Sequence, residues 1–392
     1  MIPELRKKFN ASFTEELYNK FINEINTSVR CPADFRIAET PVFLPEGITS
    51  ELIKAGDSFI SQIIKKDFSD YSAKAIPAGL YVPDETGHPE FLQIDFAVCL
   101  DGNSNLVPRL IELQGFPSLY GYQYLLDKIT RNNFEIPENY SALFNGLDHK
   151  SYSVMLKDII VADHNPENVI LMEINPGQQK TRIDFAVTEN ITGIRTVDLL
   201  DIYQTGKKLY YKFNNREIKI ERIYNRVIFD ELERKKLKLN FKIFDELDVQ
   251  WAGHPNWFFK ISKHSLPFLR NEYNPHCYFL SELEKYPDNL EDYVLKPLYS
   301  FAGKGVIVEL DRKLLNSIKD RNNYILQEKI QYAPLIETPD EHAKVEIRMM
   351  YLWKDNPVLV NNLVRMSKGK MMGVDYNKNK TWVGSSIAYH KV

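Results

Sequence analysis

Two β-type runs, Phe91 to Leu100 (FLQIDFAVCL) and Leu106 to Gly115 (LVPRLIELQG), are separated only by the turn Asp101-Gly102-Asn103-Ser104-Asn105. Extended runs of this length joined by so short a polar turn predict a β-hairpin. The hairpin carries Asp95 on its first strand and Glu112 on its second. Strand side chains alternate with period two, so Gln114 shares a face with Glu112. Hard oxygen donors of this kind suit Mg²⁺ held between protein and phosphate groups. The same acids also read as the solvated face of an ordinary hairpin. Without a cation their charges are expected to repel each other. The segment Glu173-Ile174-Asn175 is the reserve acid-x-amide pair.

Around the hairpin the texture changes in blocks. Apolar residues return every three or four positions from Ile2 to about Phe68, with a Pro-rich break from Pro41 to Pro45, which predicts a helical amino-terminal lobe over residues 1–75. Residues 76–150 hold the hairpin and the start of a helical stretch, and read as a metal-binding and substrate lobe. VILMEI then opens a Rossmann-like α/β rhythm over residues 151–250. Within it KKLYYKFNNREIKIERIYNR predicts a second hairpin turning at Asn214-Asn215, and VIFDELERKKLKL a helix. The basic stretch Lys235 to Lys242 reads as a solvated face. Residues 251–392 carry DYVLKPLYSFAGKGVIVEL, the helix-like DRKLLNSIKD, YILQEKI, and long β runs around Val345–Leu352 and Val358–Met366. With no internal repeat or low-complexity linker, the expected class is α+β, one functional unit of four lobes.

Charge narrows the partners. With 50 basic and 53 acidic side chains the formal charge is -3, so no overall field draws the chain to nucleic acid or an anionic membrane, and a small soluble substrate fits better. Cys31, Cys99 and Cys277 lack the spacing of a disulfide framework or a zinc knuckle. No apolar run has the length of a bilayer span, and the amino-terminal stretch lacks a signal-type core. A cytoplasmic location is the expectation. His254, His264, His276 and His390 are scattered without a helical metal pair, no G-x-S-x-G elbow occurs, and Cys99 reads as a packing residue.

The chemistry concentrates in the carboxy-terminal third. Lys296-Pro297 ends an apolar run and is followed by Tyr299, Ser300, Gly303, Lys304 and Gly305, then another apolar run. This predicts a strand, a loop and a strand in which glycines let the backbone approach phosphates and Lys296 supplies a point charge. It is not a Walker A loop, whose spacing and following helix are both absent, and a plain hairpin turn accounts for the glycine pair equally well. Gln327 and Glu328 end the run YILQEKI and can offer polar groups to an adenine edge, or are simply a polar strand end.

Taken in order, KPLYSFAGKGV and YILQEKI resemble the lysine-proline, glycine-rich loop and hinge strand of ATP-grasp enzymes, in particular the synthetase part of glutathionylspermidine synthase. HPNWFFKISKHSLPFL, with Lys263, is similar to that family's first nucleotide-lysine segment. IERIYNRVIFDELE and MEINPGQQKTRIDF resemble two further blocks. The likeness runs from about Gln93 to the carboxy terminus. It leaves the first ~75 residues, the helical amino-terminal lobe read above, uncovered, and implies for the rest a circularly permuted ATP-grasp fold in which the metal carboxylates precede the nucleotide lysines. It further implies Asp95, Glu112 and Gln114 as ligands of Mg²⁺, and ATP held by Lys263, Lys296, Ser300, Gly303, Lys304, Gly305, Gln327 and Glu328. Arg365, and with it Arg348 on the preceding strand, would be the catalytic cations, although both also read as surface strand residues.

Two positions depart from the family: Gln93 stands where it has arginine, and Gln114 where it has asparagine. The activity implied is ATP-dependent joining of a small-molecule carboxylate to an amine through an acyl phosphate, releasing ADP and phosphate. The alternatives are a phosphotransferase that stops at the phosphorylated acid, and a nucleotide-binding protein of the same fold without turnover. The acid, the amine and the oligomeric state stay open.

Overall fold

The structure is a computed structural model that describes residues 1–29, 31–299, 305–369, 372 and 377–392, the side chains of 230, 233 and 234 excepted. The loop positions Ser300, Gly303 and Lys304 therefore lie outside the described residues. From the amino terminus come helices α1 (Pro3–Ser12), α2 (Glu15–Ser28) and α3 (Glu46–Ile63). Thr14 caps α2 by accepting the Leu17 N–H at 3.1 Å. Strands β1 (Phe91–Leu100) and β2 (Leu106–Gln114) form the hairpin, followed by helices α4 (Tyr120–Asn133) and α5 (His149–Val161). Next come β3 (Val169–Glu173), α6 (Arg182–Thr192), β4 (Arg195–Asp198), β5 (Arg222–Asn225), β6 (Gln250–Ala252) and the short α7 (Asn256–Lys260). The chain ends with β7 (Cys277–Phe279), β8 (Tyr293–Pro297), β9 (Tyr324–Glu328), β10 (Ala343–Trp353), β11 (Pro357–Ser367) and β12 (Gly384–Ser386), then a terminal strand Ala388–Lys391.

The mixed α+β class holds, and the local readings largely match. Lys208–Phe213 and Arg216–Ile220 pair as the second hairpin, with Asn214 and Asn215 at φ of 49° and 61° in its turn. Two readings need correction. The helix in VIFDELERKKLKL covers only Phe229–Lys235. The apolar run after the glycine loop is not a strand; it contributes a single antiparallel bridge from Ile307 to Leu295.

A six-stranded antiparallel sheet organises the molecule, in the order β12-β11-β10-β1-β2, with Pro334–Ile336 paired to β10. The hairpin and the two long carboxy-terminal strands are thus one sheet. Its even-numbered β1 side chains Ile94, Phe96 and Val98 join Ile347, Met349 and Val364 in a core closed by Ile48, Leu52, Ala55 and Phe59 of α3. The amphipathic spacing along α3 buries that stripe. With one face sealed by hydrocarbon, alternation sends Asp95 and its register partners to the opposite face.

A second, parallel sheet runs β6-β5-β3-β4, which is the Rossmann-like rhythm. A third, antiparallel sheet has the order β7-β9-β8. Val42–Phe43, within the Pro-rich break, pairs in parallel with the terminal strand, so the amino-terminal helices are tied to the carboxy terminus. Among the described residues no helix is long and apolar enough to cross a membrane.

Candidate functional site

Opposite the apolar core, the six-stranded sheet presents a face of charged and amide side chains. Asp95 pairs in register with Glu112, Gln93 with Gln114, Arg348 with Asp95, and Glu346 with Arg365. The pairing of β1 with β2 shifts between Asp95 and Phe96, so that Phe96 faces Leu110 while Asp95 faces Glu112. Ile111 is the extra residue. This bulge is what puts Leu110 into the core and Glu112, two positions on, on the polar face.

Two other segments bring lysines to this face. The outer edge of β2 is stitched to the stretch after α7, with the Leu110 N–H donating to the Tyr273 carbonyl at 2.8 Å and the Gly115 N–H to the Ile261 carbonyl at 3.0 Å. At Gly115 a Cβ would lie 2.7 Å from the Trp257 carbonyl oxygen, so only glycine allows this approach. The docking sets Lys263 Nζ 3.2 Å from Glu112 Oε2. From the third sheet, Lys296 on β8 donates to the bulge carbonyl of Ile111 at 3.2 Å. Lys296 and Gln327 share a face of that sheet, since Lys296 pairs with Ile325 and Val294 with Gln327. Gln327 is fully buried, and both its side-chain oxygen and nitrogen lack a hydrogen-bond partner. Alternation turns Glu328 to the other face, where its carboxylate accepts the His276 N–H at 3.2 Å. Gly305 is left-handed at φ 75°, as a tight turn beside Pro297 requires.

The arginines meet Asp95 directly. Arg348 donates from Nε to Asp95 Oδ1 at 2.6 Å and from Nη2 to Oδ2 at 2.7 Å, a bidentate fork. Arg365 donates from Nη2 to Asp95 Oδ2 at 2.9 Å and also bonds Glu346. Glu346 in turn accepts from the Tyr332 hydroxyl at 3.3 Å. Neither Glu346 nor Tyr332 was among the residues expected from sequence. Glu346 was legible, standing two places before Arg348 on one strand, whereas Tyr332 comes from a loop with no pattern to mark it.

Electrostatics follow from this crowding. Burial pushes the Glu112 carboxyl up, but Lys263, Arg365, Arg348 and Lys296 together outweigh it and hold it down at about 2. Burial raises Glu346 to about 7, Arg365 opposing and Asp95 and Glu112 adding to the rise. Burial lowers the Lys296 ammonium, with Glu112 partly restoring it.

The fit to magnesium divides the three expected ligands. Glu112 stays ionised, and next to it Gln114 donates to Glu112 Oε1 at 2.6 Å while its own Oε1 is buried without a hydrogen-bond partner. Those oxygens suit a hard cation that arrives with phosphate ligands of its own. Asp95 is different, since its two oxygens accept three guanidinium N–H groups, whereas those of Glu112 meet one amide N–H and one lysine ammonium. Among the described residues no group of three or more His, Cys, Asp and Glu side chains could hold a metal ion.

A second polar cluster lies at the carboxyl ends of β3 and β5. Arg226, between the rings of Phe116 and Phe185, pairs with Asp184 at 2.7 Å, and Asp184 also accepts the Leu119 and Tyr122 N–H groups. Burial lifts the Glu173 carboxyl there to about 8, against the pull of Arg226 and the Ile174 N–H. A carboxyl that is mostly protonated at neutral pH is a poor magnesium ligand, which ranks the reserve pair below the hairpin. Because the folded value lies above the ordinary 4.5, the folded protein binds the extra proton, and stability should fall as pH rises from about 4.5 through 8. Glu173→Gln should lose less melting temperature than wild type between pH 6 and 8.5; equal losses would show that this carboxyl is not held protonated. An open cleft of about 670 Å³ among Arg195, Tyr203, Tyr211 and Asn240 shares no residue with either cluster.

No protein-family model and no curated protein sequence matches the chain. Among solved structures, a glutathione synthetase-like effector from Globodera pallida, in its apo form, superposes with a TM-score of 0.55 over 98% of this chain and 98% of that one, at 10% identity. The likeness is one of fold, extending along nearly the whole chain.

Proposed function

We propose that this chain is an ATP-dependent carboxylate–amine ligase of circularly permuted ATP-grasp architecture, which forms an amide through an acyl phosphate. The observation that carries the reading is the convergence of Lys263, Lys296, Arg348 and Arg365, from two sheets and a turn far apart in sequence, on one buried face with Glu112 at its centre. Four cations against Asp95, Glu112 and Glu346 leave the face with more positive than negative groups, which suits a polyanion with a transferring phosphoryl group. The fold shared with a glutathione synthetase-like protein supports a ligase-type scaffold.

In this reading Lys263 and Lys296 grip the phosphates, Gln327 reads the edge of the base, and Arg365, about a third exposed, faces the group in transfer. Magnesium would be held by Glu112 and Gln114, and when bound would neutralise phosphate charge. The acid and amine would reach the phosphates from the crevice beyond β3 and β5. The strand following β3 lies on one side of it, and β6, following β5, lies on the other, so this is a topological switch point, where open parallel sheets take ligands.

The test is ADP release from Mg-ATP across a panel of carboxylic acids, with and without amines. Amine-dependent release is the expected result. Release that ignores the amine would point to a phosphotransferase. ATP binding without release would favour a nucleotide-binding protein lacking turnover, a reading to which the engagement of Asp95 by two arginines lends weight.

A further inference from the structure

Asp95 and Glu112 face each other in register, yet their surroundings differ in kind. Asp95 is fully buried, and its oxygens accept three N–H groups from Arg348 and Arg365. The remaining edge of Arg348 donates from Nη1 to Gln93 Oε1 at 3.0 Å, and Gln93 Nε2 donates to the Ser118 carbonyl at 2.6 Å. The result is a closed chain from Ser118 through Gln93, Arg348, Asp95 and Arg365 to Glu346. Drawing Asp95 onto a metal would break two or more charge-assisted bonds and strand a buried guanidinium, the costly way to disturb a buried pair. Glu112 is held by fewer and weaker bonds, one ion pair to Lys263 at 3.2 Å and one N–H from Gln114 at 2.6 Å, and beside it Gln114 presents an oxygen with no hydrogen-bond partner.

We infer that in this chain Asp95 is the internal counter-ion of Arg348 and Arg365 and not a metal ligand, and that a metal arriving with a nucleotide rests on Glu112 and Gln114 alone. Gln93, on the strand beside Arg348, is the acceptor that fixes the orientation of its guanidinium. The metal half of this inference rests on the nucleotide reading above; the counter-ion half does not.

Two measurements test it. In a ligand-free double-mutant cycle, Asp95→Asn and Arg348→Gln should each lower the melting temperature by about 5 °C or more, and the double variant should melt no lower than the worse single variant. Additive losses would overturn the counter-ion assignment. In the second, free Mn²⁺ is followed by electron paramagnetic resonance in the presence of ADP and protein. Asp95→Asn should keep Mn-ADP affinity within about threefold of wild type, and Glu112→Gln should weaken it by about tenfold or more. An equal loss in both variants would overturn the two-residue metal set. If Asp95→Asn alone does not fold, the double variant carries the Mn²⁺ measurement, since it removes Arg348 with its counter-ion and leaves Arg365 still paired with Glu346. A wild-type protein that binds no Mn-ADP would overturn the nucleotide reading and the metal assignment together, while the cycle still decides the role of Asp95.

Discussion

Glu112→Gln is expected to reduce magnesium-dependent ADP release by about a hundredfold or more, the scale on which a single preorganised electrostatic contact acts in a closed site. Glutamine keeps the shape but removes the charge that a nucleotide-borne cation would seek and that Lys263 pairs with at 3.2 Å. In the sequence alone Asp95 and Glu112 read as two acids that repel, so the substitution would be neutral or stabilising. The fold reverses that expectation, because the Glu112 carboxylate is surrounded by basic groups. Breaking a buried pair by removing one partner costs roughly 3–5 kcal/mol. About 15% of the Glu112 side chain remains exposed, which places the expected loss at the low end. The sign with pH is definite: the folded carboxyl titrates below its ordinary 4.5, so its contribution is present above that pH and is lost as pH falls toward about 2. Wild type and variant should therefore converge in melting temperature as the solution is acidified through that window. Full turnover of the variant at limiting Mg²⁺ would remove the hairpin from the active site.

Lys296→Met is expected to weaken ATP binding by about tenfold or more in calorimetry, with little or no loss of thermal stability. The phosphate contact of a buried ammonium is worth roughly 1.5–3 kcal/mol as a charge-assisted bond. Stability should hold because Lys296 is disfavoured by its own burial, which lowers its pKa, and methionine fills a similar volume without a charge to desolvate. The Ile111 carbonyl loses its donor, a small cost beside that relief. Unchanged ATP affinity in a folded variant would exclude β8 as the phosphate grip.

The hairpin was legible because its signal is local. Ten-residue β runs either side of Asp101–Asn105 leave few other outcomes, and β1 and β2 run as expected. The strands bearing Lys296, Gln327, Arg348 and Arg365 were legible for the same reason, as was the parallel rhythm around VILMEI. Lys263, Lys296, Arg348 and Arg365 do come to one face with Asp95, Glu112 and Gln114, whereas Glu328 turns away. Less legible was the end of the helix at Lys235, where a run of basic residues keeps the helical texture going although Lys236, at φ 48°, ends the helix while Leu237 and Leu239 still pack against a core.

What the sequence determined by itself, then, is the set of strands and the residues each carries, since backbone alternation and turn chemistry depend on neighbours a few positions away. Only the tertiary structure decided which of those residues meet. Arg348 lies 253 residues from Asp95, and no local pattern specifies that β10 lies beside β1. The bulge at Ile111 is equally invisible in the sequence, because an extra residue in a strand is defined by its partner's hydrogen bonds. Yet that bulge turns Glu112 away from the core and frees the carbonyl that receives Lys296. Whether a buried carboxylate is a metal ligand or an arginine's counter-ion is likewise a property of its surroundings, as Asp95 and Glu112, paired in register on one hairpin, demonstrate by differing.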